Sequence, residues 1–214
     1  MTVWAVIVAA GSGSRFGGSQ PKQYELLGDR RVLDWSLESA RNTADGVVLV
    51  VAPDRVDQPE PAADLVVAGG DTRSASVRAG LAVVPADCDI VVVHDAARPL
   101  ASLALFEAVV GTVLAGADGA VPGLPVTDTI KRVDGDEVVD TLERDDLVAV
   151  QTPQAFRAAI LRQAHEGDPE ATDDATLVEE AGGIILVVPG EPTNLKITGP
   201  ADLGIATLHR SLGG

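Results

Sequence analysis

Apolar runs of strand length alternate with segments of helical period along most of the chain. Val3–Ala9 and Gly46–Ala52 are almost unbroken Val, Ile, Leu and Ala, as expected of strands buried on both faces. Ala63–Ala68, Asp89–His94, Leu147–Gln151 and Ile184–Val188 read as further strands. Between them, Val32–Asn42, Thr72–Val84, Ser102–Ala115, Phe156–His165, Asp173–Ala181 and a last segment from Ala201 have helical period. Asp71 and Ser102 stand where N-caps belong. Asp54–Pro61 is a proline- and acid-rich loop. This order predicts an α/β, three-layer sandwich around a mostly parallel sheet.

The alternation breaks once. Gly119–Val126 is an apolar strand interrupted by Pro122 and Pro125, and Thr129–Val133 and Val138–Leu142 flank Asp134-Gly135-Asp136. An Asp-Gly pair between two β-rich runs signals a hairpin. Its polar, charged residues suit a projecting β-arm at about 125–147, expected to serve dimerisation. The rest reads as a single domain over 1–214, with no fused second enzyme expected after the last helix.

With 46% hydrophobic residues the chain can bury a core without disulfide or metal staples. Its formal net charge of -16 repels nucleic acid and anionic membrane surfaces, so neither is expected as a partner. An anionic ligand would have to be met by local positive charge. Only three of the 16 basic residues are lysines, Lys22, Lys131 and Lys196. Cys88 is the only cysteine, which excludes an intrachain disulfide and suits a small buried side chain. Met1–Ala10 is too short for a leader and no run approaches a membrane span, so a cytoplasmic location is expected. His94 reads as a ligand or a hydrogen-bonded core histidine, and His165 and His209 as surface residues. No His/Cys cluster suggests zinc.

The chemistry concentrates in the loop after the first strand, AAGSGSRFGGSQPKQ from Ala9 to Gln23. Gly11, Gly13, Gly17 and Gly18 let backbone N–H groups approach an anion, and Arg15 and Lys22 add two cations. A dinucleotide fingerprint would need glycine where Phe16 stands, and the Gly-Lys-Ser/Thr of a Walker A loop is absent. A phosphate-binding loop and a solvated surface loop remain; two cations against a strand end favour the first.

Further motifs accompany this loop: Pro21-Lys22-Gln23-Tyr24, Gly69-Gly70-Asp71 with Arg73 and Ser76-Val77, and His94-Asp95-Ala96-Ala97-Arg98-Pro99. Asp128-Thr129-Ile130-Lys131, Arg144, Gln151-Thr152-Pro153-Gln154, Thr172-Asp173-Asp174-Ala175 and Asn194-Leu195-Lys196-Ile197-Thr198 follow in order. Together they resemble the sugar-phosphate nucleotidyltransferase superfamily and, within it, the 2-C-methyl-D-erythritol 4-phosphate cytidylyltransferase family. The resemblance covers essentially the whole chain and implies a Rossmann-like nucleotidyltransferase sheet.

It also implies transfer of the cytidylyl group of CTP to a polyol phosphate, with loss of pyrophosphate, in the non-mevalonate route to isoprenoids. Arg15 and Lys22, with Arg144 and Lys196, match the family's catalytic positions. Ala9, Ala10, Gly11, Ser12, Gly13, Gly70, Asp71, Ser76 and Ala96, together with Arg15 and Lys22, match its CTP site. Asp95, Arg98, Thr129, Arg144, Thr152, Thr172 and Lys196 match its acceptor site. The implied cofactor is Mg²⁺ or another divalent cation, held mainly by the CTP phosphates with Asp95 as a protein ligand. The implied partner is a second copy, reached through the β-arm. A cytidylyltransferase for another polyol phosphate, such as ribitol 5-phosphate, and a non-catalytic nucleotide-binding module are the alternatives.

Overall fold

The computed structural model describes residues 1–11, 16 and 20–212. The chain begins with strand β1 (Val3–Ala9), the two-residue strands β2 (Leu26–Leu27) and β3 (Arg30–Arg31), and helix α1 (Val32–Arg41). There follow β4 (Gly46–Val51), β5 (Leu65–Ala68), α2 (Arg73–Leu81), β6 (Ile90–Asp95), α3 (Leu103–Leu114) and β7 (Gly119–Pro125). Then come β8 (Lys131–Asp134), β9 (Glu137–Thr141), β10 (Val148–Val150), β11 (Gln154–Arg157), α4 (Ala158–Ala164), α5 (Asp174–Glu180), β12 (Ile185–Pro189) and α6 (Pro200–Leu212).

Eight of these strands make one sheet in the order β10-β7-β11-β6-β1-β4-β5, with β12 also paired to β7. The pairs β1–β4, β1–β6, β4–β5 and β7–β12 are parallel, whereas β10 and β11 run antiparallel to their neighbours. Helical layers cover both faces. Leu33, Leu37, Phe106 and Val109 of α1 and α3 pack on Ile7, Leu49 and Val92. Across the sheet, Val77, Leu161 and Val178 of α2, α4 and α5 pack on Val6, Val50 and Val91. This double burial explains why β1, β4 and β6 read as unbroken apolar runs. The α/β sandwich expected from the sequence is the fold observed.

Three local expectations are corrected. Gln154–Arg157, expected to lead into a helix, is instead strand β11, inserted antiparallel between β6 and β7, and the helix starts at Ala158. Asp71 does not cap α2; Thr72 does, its hydroxyl accepting from the Ala75 amide at 3.0 Å. Lys196, which its apolar neighbours Leu195 and Ile197 suggest lies in an apolar strand, sits instead in a loop, residues 190–199, without strand pairing. Pro122 of β7 still joins the neighbouring chain through its carbonyl, which accepts from the Gln151 amide at 2.8 Å, and beside it the Gly123 carbonyl accepts from the Gly190 amide at 2.9 Å.

The expected hairpin is β8–β9, a separate two-stranded sheet whose residues are all exposed. Pairing of Asp134 with Glu137 leaves Gly135-Asp136 as a two-residue turn, and Gly135 takes the φ of +57° that a side chain would resist.

Candidate active site

Parallel strands place their carboxyl ends at one edge, and loops leaving that edge build ligand clefts. Here the ends of β1 and β6, the turn before α2 and the 196–198 loop enclose a cleft of about 570 Å³. Ala9, Ala10, Gly11 and Lys22 line one side; Gly70, Asp71, Arg73 and Ser76 line another; Asp95, Ala96, Lys196 and Thr198 complete it. Two of the three lysines therefore face one cavity in a strongly acidic chain, which is the local positive charge an anionic ligand requires.

Asp95 is the last residue of β6 and is buried between two cations. Its Oδ2 is 2.6 Å from Lys196 Nζ and its Oδ1 3.3 Å from Arg73 Nε. Burial opposes its ionisation, but the charges of Arg73 and Lys196 outweigh it and hold the carboxyl well below the usual range. Thr152 supports it from behind, the hydroxyl accepting the Asp95 amide at 3.1 Å. The same hydroxyl meets His94 Nδ1 at 3.1 Å, while His94 Nε2 lies 3.2 Å from the Arg98 carbonyl. This network assigns the ring as neutral, with Nε2–H donating to the carbonyl and Nδ1 accepting the hydroxyl. Burial pushes the His94 pKa down to about 4. Of the two readings of His94, the hydrogen-bonded core histidine is the one observed.

Arg73 is held on its far side as well. Its Nη1 is 2.8 Å from Oδ2 of the wholly buried Asp174, whose Oδ1 lies 3.1 Å from His165 Nε2. His165, expected at the surface, is thus corrected to a buried residue, drawn inward because Asp174 needs a second partner. Arg73 loses hydration on burial, yet Asp174 and Asp95 more than restore its charged form and raise its pKa.

Lys196 owes its place to its neighbours. The Ile197 side chain is fully buried, and its amide donates to the Ala97 carbonyl at 2.8 Å. Asp202, in the first turn of α6, accepts from the Thr198 amide at 2.7 Å, the Thr198 hydroxyl at 2.6 Å and the Gly199 amide at 2.9 Å. Across the cleft, the buried Gln23 amide donates to the carbonyls of Ala9 at 2.6 Å and Gly11 at 3.0 Å, fixing the chain as it leaves β1. Gly69 and Gly70 are required by close approach. A Cβ on Gly69 would collide with Ala10 Cβ and lie 2.8 Å from Ser76 Oγ, and one on Gly70 would lie 2.6 Å from Ala75 Cβ.

Ala9, Ala10, Gly11, Lys22, Gly70, Asp71, Ser76, Asp95, Ala96 and Lys196 are brought together as the sequence suggested. Ser12, Gly13 and Arg15 lie outside the described residues. Other expected residues sit elsewhere in this chain. Arg98 is half-buried and does not line the cleft, donating to the Asn194 carbonyl at 2.7 Å, and Thr152 is engaged by Asp95 and His94. Thr129 and Thr172 are exposed, and the exposed Arg144 donates to the Thr127 carbonyl at 2.7 Å. Asp95, expected as a metal ligand, has one cation on each oxygen and does not fit as a ready ligand. Among the described residues no group of three or more His, Cys, Asp or Glu could hold a metal ion. Sequence reasoning gave no role to Arg73, Gln23 or Asp174. Arginine at the first position of a helix that starts at the ligand edge was the available signal for Arg73. Nothing local distinguishes Asp174, since its partner is 101 residues away.

Residues 3–210 match the family model described as 2-C-methyl-D-erythritol 4-phosphate cytidylyltransferase. The enzyme of that name from Rhodococcus jostii is 46% identical, over 95% of this chain and 93% of its own length. The bifunctional enzyme IspD/IspF of Solidesulfovibrio magneticus is 42% identical over 95% of this chain; the chain spans only 56% of that relative's length, and 52% of a second bifunctional relative from Clavibacter michiganensis. Among solved structures, 2-C-methyl-D-erythritol 4-phosphate cytidylyltransferase from Thermus thermophilus superposes with a TM-score of 0.84 at 34% identity, covering 99% of this chain and 100% of the other.

Proposed function

The chain belongs to the 2-C-methyl-D-erythritol 4-phosphate cytidylyltransferase family, and we infer that its cleft carries out that family's reaction. The cytidylyl group of CTP passes to 2-C-methyl-D-erythritol 4-phosphate, giving 4-diphosphocytidyl-2-C-methyl-D-erythritol and pyrophosphate in isoprenoid biosynthesis. The observation that carries this reading is the pairing of Lys22 with Lys196 across one cleft floored by Asp95. One cation serves a triphosphate beside the β1 loop, and the other serves a second, monoester phosphate.

The acceptor needs no general base. A phosphate monoester has its second pKa near about 6, so an ionised oxygen is available at neutral pH. That oxygen attacks the α-phosphorus of CTP; a new P–O bond forms as the bond to the β-phosphate oxygen breaks, and pyrophosphate leaves with the electron pair. The work left to the protein is alignment and charge stabilisation. Lys22, with Arg15, neutralises charge on the α-phosphate and leaving group. Lys196 orients the acceptor phosphate, exchanging part of its contact with Asp95 for the incoming anion. Its ammonium is partly exposed to the cleft, so the incoming anion can reach it. Backbone groups of Ala9–Gly11 and Gly70 face the nucleoside, where the glycines at 69 and 70 keep side chains out of the way. A divalent cation such as Mg²⁺ would arrive on the triphosphate, supplying charge neutralisation there, because this ion keeps most of its waters and takes few protein ligands.

Arg144 and Thr129 flank an exposed hairpin and lie away from this chain's own cleft residues. We assign them to the cleft of a second copy, with the hairpin as the dimer arm; Val133, Val138 and Val139 on it are more than half exposed and suit burial against a partner. No helix among the described residues is long and apolar enough to cross a membrane. With a single, buried cysteine and hence no intrachain disulfide, the chain suits a reducing compartment, and we place the reaction in the cytoplasm.

Incubation with CTP, Mg²⁺ and either 2-C-methyl-D-erythritol 4-phosphate or ribitol 5-phosphate, with pyrophosphate followed, tests this reading. Release with the first acceptor at the higher kcat/KM is expected. Faster turnover of ribitol phosphate would move the chain to the alternative acceptor, and no release with either would leave a nucleotide-binding module.

A further inference from the structure

A line of alternating charges runs from the exposed Lys196 in the cleft into the body of the protein, through Asp95 and Arg73 to the buried Asp174 and finally His165. Its contacts are 2.6, 3.3, 2.8 and 3.1 Å. The reaction as described uses only the first two residues. Asp174 is fully buried at the start of α5, and each of its oxygens is committed, one to Arg73 and one to His165. Among the described residues Arg73 Nη2 is buried with no hydrogen-bond partner, and the anchors of this guanidinium are its two carboxylates, Asp95 and Asp174.

We propose that Asp174 is a positioning residue for the acceptor half of the site, acting through Arg73 and Asp95 on Lys196. The division of charge explains why. Two cations compete for Asp95, and the share each takes depends on what else satisfies it. Asp174 holds Arg73 at 2.8 Å, shorter than the 3.3 Å contact of Arg73 with Asp95, and so leaves the tighter 2.6 Å contact of Asp95 to Lys196. Without the Asp174 charge, Arg73 in its low-dielectric setting turns wholly onto Asp95. Lys196 then loses its fixed anchor on the cleft floor. The nucleotide side is built from other residues, Ala9–Gly11, Lys22 and Gly70. His165 serves the same arrangement by orienting the Asp174 carboxylate. The inference rests on the reading of Lys196 as the acceptor-phosphate group.

Asp174→Asn keeps the side-chain size and removes the charge. Steady-state kinetics with both substrates, CTP binding by calorimetry without acceptor, and thermal unfolding are measured together. Expected are a rise of about tenfold in acceptor KM, a comparable fall in kcat, and a CTP Kd within twofold of wild type. In a Lys196→Ala background, Asp174→Asn is expected to change acceptor KM by less than twofold, because its target is gone. Val109→Ala, on the opposite face of the sheet, provides a variant of lowered stability whose kinetic constants stay at wild-type values. Additive effects in the double variant, or equal losses in CTP and acceptor binding, would overturn the proposal. So would kinetic constants for Asp174→Asn that match wild type and Val109→Ala. Wild-type protein that fails to release pyrophosphate with any acceptor refutes the functional reading itself, which separates the two failures.

Discussion

His94 makes the stability of this protein fall as pH drops through a range where few other groups titrate. The ring is fully buried, packs 5.0 Å from Phe106, and has both nitrogens engaged while neutral. A second ring proton would point at the Thr152 hydroxyl, which would then have to release its hydrogen elsewhere while still accepting the Asp95 amide. The pKa is accordingly lowered from 6.5 to about 4, with burial as the leading cause. The unfolded chain therefore binds a proton on this side chain before the folded one does. The contribution is complete above pH 6.5 and is lost as pH falls through the folded value near 4. Between pH 7 and pH 5 the loss works out at about 2 kcal/mol, approaching about 3 kcal/mol at still lower pH. In urea titrations this moves the midpoint down by about 1 M between pH 7 and 5, for a slope of about 2 kcal/mol per M. His94→Gln removes the titration while costing packing equally at every pH, so its pH profile is expected to be flatter than wild type by that amount. Parallel profiles for the two proteins would refute the neutral, buried assignment of the ring.

Three further outcomes follow from the cleft. Gly69→Ala adds a Cβ that must displace Ala10 and Ser76, both cleft residues; overpacking of this kind costs about 1–3 kcal/mol, and CTP KM is expected to rise about tenfold with acceptor KM little changed. An unchanged CTP KM would remove Gly69 from the nucleotide side. Lys22→Ala is expected to lower kcat by about a hundredfold, the usual effect of losing one donor to transition-state charge, and pyrophosphate release at the wild-type rate would exclude Lys22 from catalysis. Mixing Arg144→Ala and Lys196→Ala proteins, each of much lowered activity, is expected to restore about one quarter of wild-type activity, since half the dimers are mixed and one of their two sites carries both residues. Activity that stays at the level of the separate variants would place Arg144 in its own chain's cleft.

The elements legible in the sequence are those whose burial leaves a local imprint. β1, β4 and β6 are covered on both faces and therefore carry unbroken apolar runs; α3 announces its start through Ser102, and the β8–β9 hairpin through its Asp-Gly turn. The motifs around Lys22, Asp95 and Lys196 are likewise visible as local composition, and the structure brings these residues to one cleft. Other features depend on partners far along the chain. Gln154–Arg157 is too short to show a period of its own and merges with the helix after it; it becomes a strand because β6 and β7 leave a slot between them. Lys196 is held without a strand: Asp95 takes its ammonium, and the next residue, Ile197, donates its amide to the Ala97 carbonyl, both partners being about a hundred residues away in sequence. Arg73, Asp174 and His165 were individually unremarkable for the same reason. Hydrophobic period and turn chemistry act between neighbours and so are written locally, whereas the pairing of buried charges is decided only when the tertiary fold excludes water from around them.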